Sequence, residues 1–311
     1  MSDHPASGRP SGSATPLFLC IGDIDVDVMI GVDRLPTRDS KVNGSLLQRV
    51  PGGMAGNVAM ALSRLGGSVR LFGRVGEDED GAFALDGLRR AGVDTTHVMR
   101  VPDVATFSCI ALITPDGEKS LVKLITAAYR PQPDDVVDQL FDGVAHAHLT
   151  SAGDPELCRR IVETAHKAGA TCSLDLEFAD LPEGREDLVR ALEGFDFLFC
   201  NSASRIAIDE RLREPVARWV PIVITTLGAA GSRIEGVGRS VDVGGFATTV
   251  KDTTGAGDCF AAAFLYARLA ENLGWDEALR FANCAAALST RGYGAQSALP
   301  TQVEVWTALD R

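Results

Sequence analysis

The stretch VKDTTGAGDCF, residues 250–260, sets two acids, Asp252 and Asp258, on either side of a Gly-Ala-Gly without bulk, directly before an Ala- and Phe-rich run. A helix start leaves backbone N–H groups without intrahelical partners and gathers partial positive charge, so Gly255, Ala256 and Gly257 can present bare amides to an anion. Larger side chains would block that approach. Asp258 falls in the first helical turn, where a carboxylate is favoured and is aimed at the same spot. Amides that steady a moving charge, beside an acid that can accept a hydroxyl proton, suit phosphoryl transfer. An ordinary N-cap with a glycine turn uses the same residue types far more often, and these four residues alone do not decide between the two.

Outward from this stretch the chain reads as α/β. The last third is helical, over about 257–272 and 275–290. Ahead of it, VAHAHLTSA, TCSLDL, FDFLFCN and VPIVITTLG are strands separated by helices around 157–168 and 186–192, and SRIEGVGRSVDVGGF is a short antiparallel meander. Near the start, LFLCIGDIDVDVMI opens as a buried strand over 17–21. It then alternates Asp23, Asp25 and Asp27 with Ile24, Val26 and Val28, which predicts all three acids on one face. PGGMAGNVAMALSRLGG is a helix closed by Gly66-Gly67, SVRLFGRVG a strand, and EDEDGAFALDGLRRAG an acid-started helix. Strand alternating with helix predicts a mostly parallel central sheet flanked by helices. TFSCIALITPDGEKSLVKL breaks the rhythm with two extended runs about a Pro-Asp-Gly turn, a hairpin signal. We read one large domain over 17–311, in which segments of about 28–50 and 95–125 are inserted as a small β-sheet lid. The Ser-, Gly- and Pro-rich residues 1–16 read as a disordered tail that lacks the apolar run of a signal peptide.

The totals narrow the function. A 45% hydrophobic content over 311 residues supports a sizeable core. A net charge of -12 disfavours sequence-independent nucleic-acid binding, and no apolar run reaches membrane-spanning length. The seven cysteines are scattered without a Cys-x-x-Cys pair, as expected for reduced thiols in a cytoplasmic protein. No lysine follows a glycine, which removes the Gly-Lys-Ser/Thr phosphate loop, and no Gly-x-Gly-x-x-Gly occurs, which disfavours a nicotinamide dehydrogenase.

Taken together, DTTGAGDCF and PGGMAGNVAMALSRLGG resemble the paired signatures of the ribokinase-like, or PfkB, carbohydrate kinase family. The resemblance runs from about residue 17 to the C-terminus through GRVGEDEDG, TLGAAG and FANCAAALSTRGYGAQSALPT. It implies an ATP-dependent kinase acting on a small polyhydroxylated substrate, with Mg²⁺ as cofactor. Asp258 would be the catalytic base and Gly255, Ala256 and Gly257 the anion hole. Asp27 matches the acid that binds sugar hydroxyls, with Asp25 where asparagine is common, and Gly53 and Asn57 match the glycine turn and polar substrate contact. Thr226, Gly228 and Gly231 resemble the nucleotide loop, Asn201 a phosphate-side contact and Asn283 a residue beside the adenine. Asp252 and Thr254, with carbonyls near Ser289, Gly292 and Gly294, match a monovalent-cation loop that would take K⁺. Two departures stand out. Ser204 occupies the place where the family often has a glutamate that organises water around Mg²⁺, and Ala298, beside Ser297, falls where the cation loop often ends in serine. A homodimer through the lid is also implied.

Alternatives remain open at this level. A nucleoside kinase of the same family would need a base-stacking pocket, for which Phe107 and Tyr129 are the obvious residues. A non-catalytic sugar sensor is kept open by Ser204. Asp23 reads as structural, His146 and His148 as hydrogen-bonded strand histidines without a third metal ligand, and Cys259 as packing. Arg130 meets either an acidic substrate or solvent.

Overall fold

The structure, a computed structural model, describes residues 15–116, 118–150, 153–236 and 238–310; most of the expected N-terminal tail and the glycine of the Pro-Asp-Gly turn lie outside them. In chain order the elements begin with β1 (Leu17–Ile21), β2 (Asp25–Val32), β3 (Gly44–Gly52), α1 (Met54–Arg64), β4 (Ser68–Phe72), β5 (Arg74–Gly76), α2 (Glu79–Arg90), β6 (Met99–Val101), β7 (Ser108–Ile113) and β8 (Lys119–Leu124). They continue with β9 (Val144–Thr150), α3 (Pro155–Lys167), β10 (Thr171–Asp175), α4 (Arg185–Leu192), β11 (Phe197–Asn201), α5 (Ser202–Leu212), β12 (Ile222–Thr226), β13 (Ser232–Gly236) and β14 (Arg239–Val243). Three helices end the chain: α6 (Ala256–Leu265), α7 (Trp275–Ser289) and α8 (Gln302–Leu309).

The main sheet has the order β14-β13-β12-β11-β10-β9-β1-β4, parallel from β4 through β12 and antiparallel at β13 and β14. β1 lies between β4 and β9 and is covered on both faces, which is why LFLCI reads as an unbroken apolar run. Its alternate residues feed two cores. Phe18 and Cys20 pack with Val58, Leu62, Leu85, Phe264 and Phe281 on one face, and Leu19 and Ile21 with Ile161, Leu174, Leu188 and Ile208 on the other. Helix ends follow local chemistry: Asp154 accepts from the N–H groups of Glu156 and Leu157 ahead of Pro155, and Asp78 accepts from the Gly81 N–H at the start of α2.

A separate sheet, β3-β2-β7-β8, is built from the two expected excursions. β2 runs antiparallel to β3 and parallel to β7, and β7 turns back into β8. The chain therefore reaches this sheet at the carboxyl end of β1, which carries the acids of β2 to the same edge as the loops of the main sheet.

Three local readings change. β1 stops at Ile21 and β2 starts at Asp25, so Asp23 lies between strands and the three acids do not share one strand face. A Cβ on Gly22 would come within 2.2 Å of the Thr150 hydroxyl, a packing that lets the chain turn out of the main sheet there. SVRLFGRVG divides at Gly73 into β4 in the main sheet and β5, which pairs with β6 instead. The helix expected to run to 272 leaves α geometry after Leu265 in a wide π turn over Tyr266–Ala270.

Candidate active site

Helix α6 starts at Gly255, whose φ of 73° lies in the left-handed region. A Cβ there would come within 2.5 Å of the Ala295 Cβ, whereas one on Gly257 would meet nothing within 4 Å. Gly255 thus satisfies the turn and Gly257 faces open space, as an anion hole requires. Asp258 is buried in the first turn, and its Oδ2 accepts a 2.8 Å hydrogen bond from Asn57 Nδ2 on α1. The Asn57 Oδ1 in turn accepts from Gln296 Nε2 at 3.0 Å, which fixes which way the amide points. Burial pushes the Asp258 carboxyl well above its ordinary range; the Asn57 hydrogen bond pulls the other way, and the charges of Asp175, Glu177 and Asp23 add to the rise.

Asp25 and Asp27 converge on a space that only Gly52 leaves open: a Cβ on Gly52 would come within 2.3 Å of Asp25 Oδ1 and 2.5 Å of Asp27 Oδ2. The buried Oδ1 of Asp25 has no hydrogen-bond partner among the described residues. Burial, then the charge of Asp27, drives Asp25 well upward, and burial followed by the charge of Asp23 takes Asp27 to about 6. The unpartnered Oδ1 of Asp25 is left without a donor that the hydroxyl of a ligand can supply. Gly53 opens α1 with a φ of 85°, and a Cβ on it would clash with the Asp23 carbonyl at 2.5 Å. Asp23 is structural as expected: its carboxylate accepts from the Met54 N–H at 3.2 Å and the Thr150 hydroxyl at 3.3 Å.

Two neighbouring cavities share Thr226, Gly257 and Phe260. The larger, about 540 Å³, is lined by Gly228, Gly231, Ala256, Phe246 and Asn283. The Asn283 Nδ2 donates to the carbonyls of Val243 and Gly244, both at 3.2 Å, and so holds the loop after β14 over that space. The smaller, about 60 Å³, is bounded by Asp175, Glu177, Asn201 and Asp258. Asn201 caps α5 by accepting from the Ser204 N–H at 2.9 Å, while the buried Ser204 hydroxyl finds no partner among the described residues. Asp175 and Glu177 were not singled out from sequence. Burial and then Glu177 raise Asp175 to about 8, and Glu177 is itself raised by burial. Their signal was present in TCSLDLEF: acids at the carboxyl end of a parallel strand, the edge where ligands of such sheets bind.

The residues matched to a cation loop are in place, but a lysine has joined them. Asp252 Oδ1 accepts from the Thr254 N–H at 3.0 Å and hydroxyl at 2.7 Å, and Oδ2 from the Gly294 N–H at 2.9 Å. Lys119 of β8 bonds the same carboxylate and reaches the Thr254 hydroxyl at 2.9 Å. Burial would raise Asp252, but the Lys119, Gly294 and Thr254 hydrogen bonds outweigh it and hold the group at about 2.

Other assignments resolve simply. His146 bonds Thr171 and Ser173 at 2.8 and 2.7 Å, His148 bonds Ser173 at 2.7 Å, and burial lowers both imidazoles to about 3. Burial pushes the Cys259 thiol up to about 12. Arg130 pairs with Asp180 at 3.3 Å and lies over the Tyr129 ring at 4.4 Å. Phe107 is fully buried against Tyr129, with ring centroids 4.4 Å apart.

This architecture is the ribokinase fold. The ribokinase of Thermotoga maritima superposes with a TM-score of 0.83 at 21% identity, covering 96% of this chain and 100% of that one. The ribokinase of Arabidopsis thaliana complexed with ribose and ATP gives 0.81 at 25% identity, with the same coverage. The chain belongs to the PfkB family of carbohydrate kinases, whose profile matches residues 16–302. It is 33% identical to the ATP-dependent ribose-1-phosphate kinase of Halopiger xanaduensis over 282 residues, 90% of this chain and 94% of that one. It is 30% identical to the ribokinase of Bacillus subtilis over 294 residues, 92% and 96% of the two chains.

Proposed function

We propose that this ATP-dependent sugar kinase transfers the γ-phosphate to a hydroxyl of a small sugar or sugar-like compound, with Asp258 as general base. One observation carries the reading: a buried carboxylate of raised proton affinity stands one residue beyond the open amide of Gly257, where the two cavities meet. In the reaction the acceptor oxygen bonds to the γ-phosphorus as its bond to the bridging oxygen of ADP breaks, and the acceptor proton passes to Asp258. The amides of Gly255 and Gly257 take the charge of the transferring group, whereas the Ala256 N–H, expected to be bare, donates to the Thr253 carbonyl at 3.2 Å. Asp25, Asp27 and Asn57 hold the acceptor's hydroxyls above Gly53. In the larger cavity, Thr226, Gly228, Gly231 and Asn283 hold the nucleotide, with Asn201 on the phosphate side.

The hard oxygen donors of Asp175 and Glu177, at a space of about 60 Å³ beside Asp258, fit Mg²⁺. They would hold it, directly or through water, in place of the glutamate that Ser204 replaces. When bound, the ion neutralises phosphate charge.

A sugar is favoured over a nucleoside because the two aromatic residues considered for base stacking are already engaged: Phe107 is buried and Tyr129 is covered by Arg130. The small sheet lies where a lid would exclude water as a competing acceptor. Its edge strands leave Leu46, Leu47, Leu121 and Leu124 exposed, which supports a homodimer through it. A cytoplasmic location fits seven buried cysteines that form no disulfide among the described residues, where no helix is long and apolar enough to cross a membrane. ADP release measured over a panel of pentoses, hexoses, sugar phosphates, sugar acids and nucleosides tests the reading. Turnover with sugars or sugar phosphates is expected; preference for a nucleoside, or tight sugar binding without ADP formation, would overturn it.

A further inference from the structure

We propose that Lys119 acts as a tethered monovalent cation for the loop that leads into the anion hole, so that this kinase needs no potassium ion there. The inference rests on the kinase reading above and concerns how that site is kept electrically balanced.

Asp252 is a nearly buried carboxylate, with its side chain 4% exposed, three residues ahead of Gly255. An uncompensated negative charge at that depth opposes the binding of a triphosphate at the neighbouring amides. Some cation must balance it. A carboxylate offers about four lone-pair sites. Here the donors are the Thr254 N–H, the Thr254 hydroxyl, the Gly294 N–H and the Lys119 ammonium. Three of these donors crowd Oδ1 and leave that oxygen no lone pair for a metal ion, while Oδ2 takes the Gly294 N–H. The Thr254 hydroxyl, which gives its hydrogen to Asp252, accepts from Lys119 with its remaining electrons at 2.9 Å. The residues matched to a potassium loop therefore fit the ion poorly, because an ammonium of the same charge already uses the Asp252 Oδ1 and the Thr254 hydroxyl. Ala298, which falls where the resembled loop often ends in serine, offers no side-chain oxygen to an ion.

Lys119 arrives from outside the loop. It is the first residue of β8, paired with Ile113 across the hairpin. Its backbone is steadied by the neighbouring bond from the Thr114 N–H to the Glu118 carbonyl at 3.1 Å. It is a positioning residue: its charge acts on the anion hole through Asp252 and Thr254.

The test compares the full-length protein with Lys119→Ala and Lys119→Arg in KCl, NaCl and tetramethylammonium chloride at equal ionic strength, reading both ATP turnover and thermal unfolding. The native enzyme should turn over equally, within about twofold, in all three salts. Lys119→Ala should lose about tenfold or more in tetramethylammonium, the scale expected when a buried charge loses its partner, and K⁺ should restore most of that loss. Lys119→Arg should stay near native. The melting temperature of Lys119→Ala should rise in KCl relative to tetramethylammonium, while that of the native protein should not. Activation of the native enzyme by K⁺ of about fivefold or more, a Lys119→Ala defect that K⁺ leaves untouched, or no defect at all would each overturn the proposal. Should no acceptor support turnover, the kinase reading fails by itself and the melting comparison still decides the role of Lys119.

Discussion

Asn57 and Asp258 are joined by a 2.8 Å hydrogen bond that ties α1 to the first turn of α6 across the interior of the site. The pair explains why the two glycine-rich segments must coexist: one presents the amide that orients and partly offsets the buried acid, the other presents the acid itself. Because the Asn57 N–H donates to the charged carboxylate, it lowers a proton affinity that burial has raised. Asn57→Ala should therefore move the acidic limb of the kcat/KM profile to higher pH and reduce turnover below that limb. The measurement is a pH–rate profile of both proteins; coincident acidic limbs would show that the bond does not tune the base.

Asp258→Asn keeps the shape of the side chain and removes its basicity. Turnover should fall about 10²- to 10⁴-fold, the usual contribution of a general base, while calorimetric ATP affinity stays near native. Near-native turnover would remove Asp258 from the role.

Much of the fold was legible because its signals are local and repeated: apolar strands, helices closed by glycine, and a texture change at the TPDG hairpin. The site was legible where it depends on small residues, as at Gly255 and Gly257. What escaped the sequence depends on which distant residues meet. Asp23, Asp25 and Asp27 alternate perfectly, yet the turn at Gly22 takes Asp23 out of the strand, a consequence of packing against Thr150. Asp175 and Glu177 look like the end of an ordinary strand until β10 is placed beside β11 and opposite α6. Lys119 looks like one exposed hairpin lysine, and nothing near it in sequence announces Asp252.

The two glycines of the helix mouth should respond oppositely to a methyl group or larger. Gly255→Ala forces a side chain into left-handed backbone and against Ala295, so it should lower stability by about 1–3 kcal/mol. Gly257→Val adds bulk to empty space and should leave the melting temperature near native while sharply weakening ATP turnover. Denaturation curves and initial rates on both variants check this; a stable Gly257→Val enzyme with normal rates would move the phosphate elsewhere.

The buried acids also predict an unusual dependence of stability on pH in the ligand-free protein. Asp175 titrates near 8 when folded, against an ordinary 3.8, so between those values the folded state binds the extra proton and stability falls as pH rises. His146 and His148 act in the opposite sense: held at about 3 when folded against 6.5 ordinarily, they make stability rise with pH through 6.5, an effect that levels off by about pH 7.5. Asp27, near 6, and Asp252, near 2, have also finished titrating by about pH 7.5. The window from about 7.5 to 8.5 therefore reports Asp175, together with Asp25 and Asp258, which burial also drives upward, with a slope of up to about 1.4 kcal/mol per pH unit for each such group. Urea unfolding across that window should show stability declining with pH, and Asp175→Asn should flatten the decline. If native stability instead rises toward pH 8, or the variant's slope matches the native one, Asp175 is not held protonated by the fold and loses its place as a carboxylate waiting for a cation.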